Sequence, residues 1–248
     1  MINEPRDWPY PRLCAHRGAG RLAPENTMAA MRVGAGYGYR MFEFDCKLSG
    51  DGSLVLMHDD MLDRTTDGRG RVGQATLAEL MRLDAGSWHS TTYAGEGVPT
   101  LARLARWLLA GDYLANIEIK ACVGREFETG AAVGLEADHI FRDADIAPLL
   151  SSFSESSLEG AREAAPDLPR ALLFDALPDD WLARCLALGC VAVDPHHASL
   201  SERMVDTAHD AGLRVVTYTV NDPQRVEMLL EWGVDTVITD AVDVIQFI

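Results

Sequence analysis

Short apolar runs alternate with longer amphipathic segments along almost the whole of this chain. The amphipathic segments repeat apolar residues at the spacing of one helix face, and clear examples cover residues 27–37, 101–109, 127–141, 202–211 and 223–232. The apolar runs have the length of buried strands, and nine of them cover residues 13–16, 41–45, 53–58, 114–119, 147–153, 170–174, 191–194, 213–220 and 234–239. Such an alternation favours a parallel sheet with helices packed against it.

The second and third apolar runs are too close together to be neighbouring parallel strands. Only residues 47–52, which include Asp51-Gly52, separate them, whereas a parallel connection needs about a dozen residues or more. We therefore expect an antiparallel hairpin whose return strand is the third run. The eight remaining strands predict a (β/α)8 TIM barrel, and the length of 248 residues matches the size of ~250 that is typical of this fold.

One stretch breaks the alternation of strands and helices. Residues 59–97 are rich in Gly, Asp, Thr and Arg, with one short helical segment near residues 77–83. We expect this stretch to be a small insertion at the barrel rim that helps to shape a site, because long loops in compact domains are usually functional. No other boundary is evident, so we expect residues 1–248 to form a single domain.

The charge of the chain limits its partners. It contains 38 acidic and 22 basic residues, and its formal net charge of −16 opposes binding to nucleic acid or to an anionic membrane surface. No apolar run approaches the roughly 20 residues of a membrane helix, and the first twelve residues lack the apolar core of a signal peptide. We therefore expect a cytoplasmic protein without membrane insertion that acts on a small molecule. The sequence leaves open whether it forms a homo-oligomer.

Charged side chains occur at the ends of four consecutive predicted strands. His16 and Arg17 end the first, and His58 ends the return strand of the hairpin. The second and fourth runs carry the pairs Glu43-x-Asp45 and Glu118-x-Lys120. Active sites of (β/α)8 barrels lie at the carboxyl ends of the strands, so these residues are the candidates for one site.

The spacing within the two pairs indicates where they point. Residues two apart on a strand face the same side, so Glu43 and Asp45 share a face, as do Glu118 and Lys120. If these faces point inward, three carboxylates converge, and their repulsion calls for a cation. Oxygen ligands suit Mg²⁺ or Ca²⁺.

The basic candidates complement such a cation site. Arg17 can hold a phosphate through two parallel hydrogen bonds, and Lys120 supplies a point charge. His16 and His58 titrate near neutral pH and can accept or donate a proton. Together with a cation, these groups predict a site that cleaves a phosphoester.

The order of these motifs resembles one known enzyme family, the glycerophosphodiester phosphodiesterases. The similarity extends in order from His16 to Asp240. It rests on His16-Arg17-Gly18, Ala23-Pro24-Glu25-Asn26-Thr27, Glu43-Phe44-Asp45-Cys46-Lys47, Asp51-Gly52, Met57-His58-Asp59, Leu62-Asp63-Arg64-Thr65-Thr66 with Gly68, Asn116-Ile117-Glu118-Ile119-Lys120, Ser151-Ser152-Phe153, Thr219-Val220-Asn221, Gly233-Val234-Asp235 and Thr239-Asp240.

The resemblance implies a fold, an activity and a role for each site residue. The family fold is a (β/α)8 barrel with a small insertion after the hairpin. The activity is metal-dependent hydrolysis of glycerophosphodiesters to glycerol 3-phosphate and an alcohol, in glycerophospholipid and glycerol metabolism. The implied roles are metal ligands for Glu43, Asp45 and Glu118, acid and base for His16 and His58, phosphate binding for Arg17 and Lys120, and substrate contact for Phe153 and Tyr218.

Some assignments stay open at the level of the sequence. The family commonly has tryptophan where this chain has Tyr218, which adds a hydroxyl and leaves the head-group preference undecided. Asn26 either caps the first helix or bonds within the site, and His196 and His197 either reach substrate or lie on the rim. The attacking group is either water or the neighbouring glycerol hydroxyl. A phospholipase-like activity on larger lipids and a non-catalytic metal-binding barrel are the alternative functions.

Overall fold

The computed structural model describes residues 8–246, which contain nine strands and eight α-helices. The expectations for residues 1–7 and 247–248 lie outside the described residues. The strands are β1 (Leu13–Ala15), β2 (Met41–Leu48), β3 (Leu54–Leu56), β4 (Leu114–Ile119), β5 (Leu149–Ser152), β6 (Arg170–Phe174), β7 (Ala192–Pro195), β8 (Arg214–Thr217) and β9 (Thr236–Thr239). The helices are α1 (Met28–Gly36), α2 (Leu77–Leu80), α3 (Leu101–Ala110), α4 (Glu126–Phe141), α5 (Glu155–Ala164), α6 (Trp181–Ala187), α7 (Glu202–Asp210) and α8 (Pro223–Glu231).

Eight of the strands close into a parallel barrel. Their order is β1-β9-β8-β7-β6-β5-β4-β2, and β2 pairs with β1 to complete the ring. The helices between successive strands pack around the outside, where one large apolar cluster covers the sheet. The predicted (β/α)8 fold is therefore confirmed.

The hairpin that separates the ninth strand from the barrel is also confirmed. Strand β2 is eight residues long, and its first part pairs in parallel with β4 from Met41 to Cys46. Its last part, Cys46 to Leu48, pairs antiparallel with β3. Strand β2 thus extends beyond the barrel wall and supports the next part of the chain.

Side-chain alternation along β2 separates an outer face from an inner one. Phe42 and Phe44 are fully buried in the outer cluster, where the ring of Phe42 lies 5.7 Å from that of Trp107 and 5.4 Å from that of Tyr113. Met41 belongs instead to the apolar cluster inside the barrel. Residues two and four positions after Met41 share its face, so the side chains of Glu43 and Asp45 point into the interior above an apolar floor.

The segment between β3 and α3 has a small core of its own at the barrel rim. Its apolar residues form a separate cluster, which includes Leu62, Val72 and Leu80. The predicted short helix is α2, where Thr76 and Glu79 form a reciprocal capping box. Glu96 ties the segment to the barrel, because its Oε1 accepts a hydrogen bond from the backbone N–H of Ala29 at 3.0 Å. The single-domain division and the insertion limits of 59–97 stay predictions.

Candidate active site

Three carboxylates converge inside the barrel at the carboxyl ends of β2 and β4. Glu43, Asp45 and Glu118 each place a carboxylate oxygen within 4.8 Å of the other two, and all three residues are buried. Parallel pairing of Asp45 with Glu118 sets this register. The three acids therefore point inward, a direction that the i, i+2 spacing alone left open.

The carboxylates are poorly compensated by hydrogen bonds. Glu43 Oε1 and Asp45 Oδ1 are buried without a hydrogen-bond partner in the described part of the chain. Burial raises the pKa of Glu43 and of Glu118, and in both cases the charge of Asp45 raises it further. Asp45 keeps a lowered pKa despite its burial, because Arg17, His58 and Lys120 oppose the desolvation. The acids repel one another, and the neighbouring cations Arg17 and Lys120 outweigh burial and this repulsion at Asp45 but not at Glu43 or Glu118.

This cluster fits a divalent cation. Its donors are all carboxylate oxygens, which suit hard ions such as Mg²⁺ and Ca²⁺, and two buried oxygens have no other partner. A cation at this position would remove the repulsion that raises the pKa of Glu43 and Glu118. The cluster can therefore hold a metal.

The loop after β1 aims Arg17 at this cluster. Arg17 has a left-handed backbone conformation, with φ of +51°, and its N–H donates to Glu43 Oε2 at 3.0 Å. Its guanidinium donates to Glu25 Oε1 at 2.8 Å, and Nε lies 3.3 Å from Asp45 Oδ2. Gly18 follows with φ of +98°, and a side chain there would collide with Ala30. The left-handed conformation of Arg17 strains the backbone, and it places one guanidinium beside the acids.

Asn26 belongs to the site, whereas Thr27 caps the helix. The side chain of Asn26 donates to Asp45 Oδ2 at 2.7 Å and accepts from the backbone N–H of Asp45 at 3.0 Å. The N-cap of α1 is Thr27, whose hydroxyl accepts from the N–H of Ala30. Of the two readings left open by the sequence, the structure supports the bond within the site.

Lys120 directly follows β4 and contacts two of the acids. Its Nζ donates to Glu118 Oε1 at 2.5 Å and lies 3.8 Å from Asp45 Oδ1. Burial would lower the pKa of Lys120, but the charges of Glu118 and Asp45 outweigh it and the net pKa is raised. Lys120 therefore stays positively charged, and its remaining N–H bonds are available to an anion.

Each of the two histidines is held by a carboxylate. His16 Nδ1 lies 2.6 Å from Asp240 Oδ1, and His58 Nδ1 lies 2.7 Å from Asp59 Oδ1. These contacts fix the proton on Nδ1 and leave Nε2 to face the site. His16 Nε2 is 3.8 Å from Glu43 Oε2.

The surroundings push the pKa values of the two histidines apart. Burial lowers the pKa of His16, but the hydrogen bond with Asp240 and the charge of Glu43 reverse this, and the net pKa is raised. For His58, burial and the charges of Arg17 and Lys120 prevail over Asp45 and Asp59, and the net pKa is lowered. Two titratable groups separated in this way suit opposite proton-transfer roles.

Aromatic side chains form the remaining wall of the site. The ring of Phe153 lies 5.8 Å from that of Tyr218 and 5.1 Å from Lys120 Nζ. The Tyr218 hydroxyl donates to the carbonyl of Phe174 and lies 3.1 Å from Asp175 Oδ1. His196 joins this wall with its ring 5.7 Å from that of Tyr218. The sequence-predicted residues are thus all found at one end of the barrel.

The sequence analysis assigned no role to three acids of the site. Asp240 and Asp59 hold the two histidines, and Asp194 is a fourth interior carboxyl with neither oxygen hydrogen-bonded within the described residues. Asp240 lies two residues after Ile238, an inward-facing residue of β9. The spacing rule that identified Asp45 would therefore have identified Asp240 had it been applied to the last strand.

The fold and this polar centre define the class of protein: a (β/α)8-barrel enzyme with its acids, bases and cations at the carboxyl ends of the strands. A sequence model of the glycerophosphoryl diester phosphodiesterase family matches residues 16–244, and the chain belongs to this family. The expected glycerophosphodiester phosphodiesterase activity is thereby confirmed.

Individual relatives agree with this assignment over most of their length. A glycerophosphodiester phosphodiesterase of Caldanaerobacter subterraneus is 33% identical over 231 residues, which cover 91% of this chain and 92% of the relative. The structure of an Oleispira antarctica phosphodiesterase in complex with its product sn-glycerol-3-phosphate superposes with a TM-score of 0.87, with 35% identity and 94% of both chains covered. A glycerophosphodiester phosphodiesterase of Agrobacterium tumefaciens gives a TM-score of 0.77 with 31% identity, over 94% of this chain and 97% of that one.

Proposed function

We propose that this enzyme hydrolyses glycerophosphodiesters to sn-glycerol 3-phosphate and an alcohol with one divalent cation, Mg²⁺ or Ca²⁺, as cofactor. The observation that carries the proposal is the convergence of three under-compensated carboxylates beside two cationic side chains and two carboxylate-held histidines. The product named for the Oleispira antarctica relative, sn-glycerol-3-phosphate, is the product proposed here.

Glu43, Asp45 and Glu118 are the proposed cation ligands. Their carboxylate oxygens lie within 4.8 Å of one another, a separation that one ion can bridge. When bound, a divalent cation polarises a phosphoryl oxygen and offsets the negative charge that builds on it.

Arg17 and Lys120 are the proposed phosphate ligands. Both contact Asp45, because Arg17 Nε lies 3.3 Å from its Oδ2 and Lys120 Nζ lies 3.8 Å from its Oδ1. Both are held as cations at neutral pH, because neighbouring acids raise the pKa of each. Two fixed cations can stabilise the charge that develops on the phosphoryl oxygens without reorganising during the reaction.

His58 and His16 are the proposed proton acceptor and donor. The lowered pKa of His58 keeps its Nε2 free to take a proton from the attacking oxygen, which is water or the glycerol 2-hydroxyl. The raised pKa of His16 keeps a proton on Nε2 that can pass to the leaving alkoxide. Asp59 and Asp240 hold the two rings in the orientation that this exchange requires.

Phe153 and Tyr218 are the proposed contacts for the apolar part of the substrate. The Phe153 ring lies 5.1 Å from Lys120 Nζ and meets the Tyr218 ring edge to face. A phosphate held by that lysine brings its glycerol carbons or its alcohol toward these rings. We further propose that the reaction belongs to glycerophospholipid and glycerol metabolism and that the enzyme acts in the cytoplasm. No helix among residues 8–246 has the length and apolar character needed to span a membrane.

The test is release of glycerol 3-phosphate from glycerophosphocholine and glycerophosphoethanolamine, in EDTA and with Mg²⁺ or Ca²⁺ added back. We expect release that depends on the cation, and a loss of about 100-fold or more in turnover for His58→Ala and for His16→Ala. Full activity in EDTA would refute the cofactor assignment, and full activity of His58→Ala would refute the two-histidine scheme. Faster hydrolysis of lysophospholipid vesicles than of either diester would instead indicate larger lipids as substrates.

A further inference from the structure

One arginine of the segment between β3 and α3 lies between the residues proposed for proton transfer and those proposed for phosphate binding. Arg64 follows β3, and its side chain is 44% exposed. Its guanidinium makes four hydrogen bonds to two acids. Nε and one terminal nitrogen donate to Asp59, at 2.6 and 2.9 Å. Both terminal nitrogens donate to Glu25, at 2.7 and 2.8 Å.

Each of these acids also contacts a residue of the proposed chemistry. Asp59 Oδ1 lies 2.7 Å from His58 Nδ1, on the proton-transfer side. Glu25 Oε1 accepts from the Arg17 guanidinium at 2.8 Å, on the phosphate side. A continuous series of hydrogen bonds therefore runs from His58 through Arg64 to Arg17. Arg17 in turn forms an ion pair with Asp45, whose Oδ2 lies 3.3 Å from Arg17 Nε.

We propose that Arg64 is a positioning residue that sets the orientation of His58 through Asp59 and that of Arg17 through Glu25. The inference rests on the roles proposed above for His58 and Arg17. Only a guanidinium can serve both acids, because its planar set of N–H bonds presents two edges that each match a carboxylate. A lysine would supply the charge without the two parallel pairs.

The hydrogen bonds that Arg64 donates to Glu25 and Asp59 support a positioning role for this arginine. Without Arg64, Glu25 and Asp59 would lose the side-chain hydrogen bonds that contribute most to lowering the pKa of each. Glu25 would keep its contact with Arg17, and Asp59 its contact with His58. Neither acid would then be fixed in position itself, so neither could orient its partner. Such supporting hydrogen bonds fix the direction of a side chain that must meet the substrate within a fraction of an ångström.

The segment contains a matched control. Arg69 donates to Asp63 at 3.0 Å, and its side chain is 85% exposed. This is an arginine–carboxylate pair in the same rim segment with no contact to the site residues. Arg69→Gln should leave turnover and KM unchanged, whereas Arg64→Gln removes the guanidinium that joins the two acids.

The experiment compares kcat and KM for glycerophosphocholine with saturating Mg²⁺ in the wild type and in Arg64→Gln, Arg64→Lys and Arg69→Gln. It also measures Arg64→Gln in the His58→Ala background. We expect Arg64→Gln to lower kcat/KM by about 10- to 100-fold, with Arg64→Lys intermediate and Arg69→Gln at the wild-type value. In the His58→Ala background, the fold loss of kcat/KM caused by Arg64→Gln should be at least about threefold smaller. The reason is that the effect of Arg64 through Asp59 on His58 is already absent there.

Two results would overturn the proposal. The first is Arg64→Gln with wild-type kcat and KM. The second is an equal fold loss of kcat/KM in the wild-type and His58→Ala backgrounds, accompanied by a lowered Tm, which would make Arg64 only an anchor of the segment. Full activity of His58→Ala alone is a different outcome, because it removes the role proposed for His58 and with it the premise of this inference.

Added guanidinium ion at about 50 mM, well below denaturing concentrations, should restore part of the activity of Arg64→Ala and none of that lost in His58→Ala.

Discussion

The sharpest single perturbation of the proton-transfer scheme is Asp240→Asn. Asp240 Oδ1 lies 2.6 Å from His16 Nδ1, and its position is fixed by Asn221, which donates to Oδ2 and accepts from the backbone N–H of Asp240. The substitution keeps the shape of the side chain but removes its charge. It also allows the amide to present an N–H to His16, which would move the ring proton to Nε2.

The expected loss follows from this contact. A hydrogen bond to a charged group contributes about 1.5–3 kcal/mol, and the lower half of that range applies because the Asp240 side chain is 30% exposed. At about 1.4 kcal/mol for each tenfold change, kcat/KM should fall by about 10- to 40-fold from this bond alone. A change of tautomer can bring the loss toward about 10⁴-fold.

The pH dependence provides a second readout. Burial lowers the pKa of His16, and the hydrogen bond with Asp240 is the largest effect that opposes it. Asp240→Asn therefore lowers that pKa. If His16 is the proton donor, the alkaline limb of the pH–rate profile moves to lower pH, because His16 loses its proton earlier.

A second histidine–aspartate pair supplies the control. His209 Nε2 lies 2.9 Å from Asp235 Oδ2, just before β9 and so at the opposite end of that strand from Asp240. Asp235→Asn should lower Tm without altering the pH–rate profile. The reasoning is refuted if Asp240→Asn keeps kcat/KM within about twofold of the wild type with an unshifted profile.

Three further outcomes are expected. In the metal-free protein, burial raises the pKa of Asp194 well above its usual range, so folding keeps a proton there that the unfolded chain releases above about pH 4. The stability of the wild type then falls as pH rises from that value. The Tm of Asp194→Asn minus the Tm of the wild type should therefore increase between pH 5 and pH 8. A Tm difference that stays constant over this range would contradict a buried, protonated Asp194. Phe153→Ala should raise KM by about three- to tenfold with little change in kcat, because the ring contributes binding alone; an equal loss in kcat would place Phe153 in the reaction itself. Mg²⁺ at 100 times its Kd should raise the Tm of the metal-free protein by about 5–10 °C, and an unchanged Tm would argue against a resident cation.

The barrel was predictable because its signals are local. The length of the connection between the second and third runs required a hairpin, and the count of the other strands then required closure. The period of two residues placed Glu43 with Asp45, and Glu118 with Lys120, on shared faces, and the closed barrel directs the three acids inward. The structure adds the register that brings Asp45 opposite Glu118.

The contacts that complete the site depend on distances across the chain that no local pattern contains. Arg64 meets Glu25 across 39 positions, and Asp240 meets His16 across 224. Asp194 lies at the end of the seventh run, and no local pattern predicts that the closed barrel buries it with no hydrogen bond from the described residues. Asn26 needed the left-handed turn of its loop, with φ of +59°, to reach Asp45 instead of capping a helix.

The central claim is that Glu43, Asp45 and Glu118 hold the cation on which hydrolysis depends. The most direct measurement is a Mg²⁺ titration of glycerol 3-phosphate release by metal-stripped wild type and Glu118→Gln, with Glu128→Gln as a control on an acid whose side chain is 60% exposed on α4. The account predicts no release before Mg²⁺ is added, a half-saturating concentration at least about tenfold higher for Glu118→Gln, and a wild-type curve for Glu128→Gln. Release by the stripped wild type, or the same half-saturating concentration in all three proteins, would contradict it.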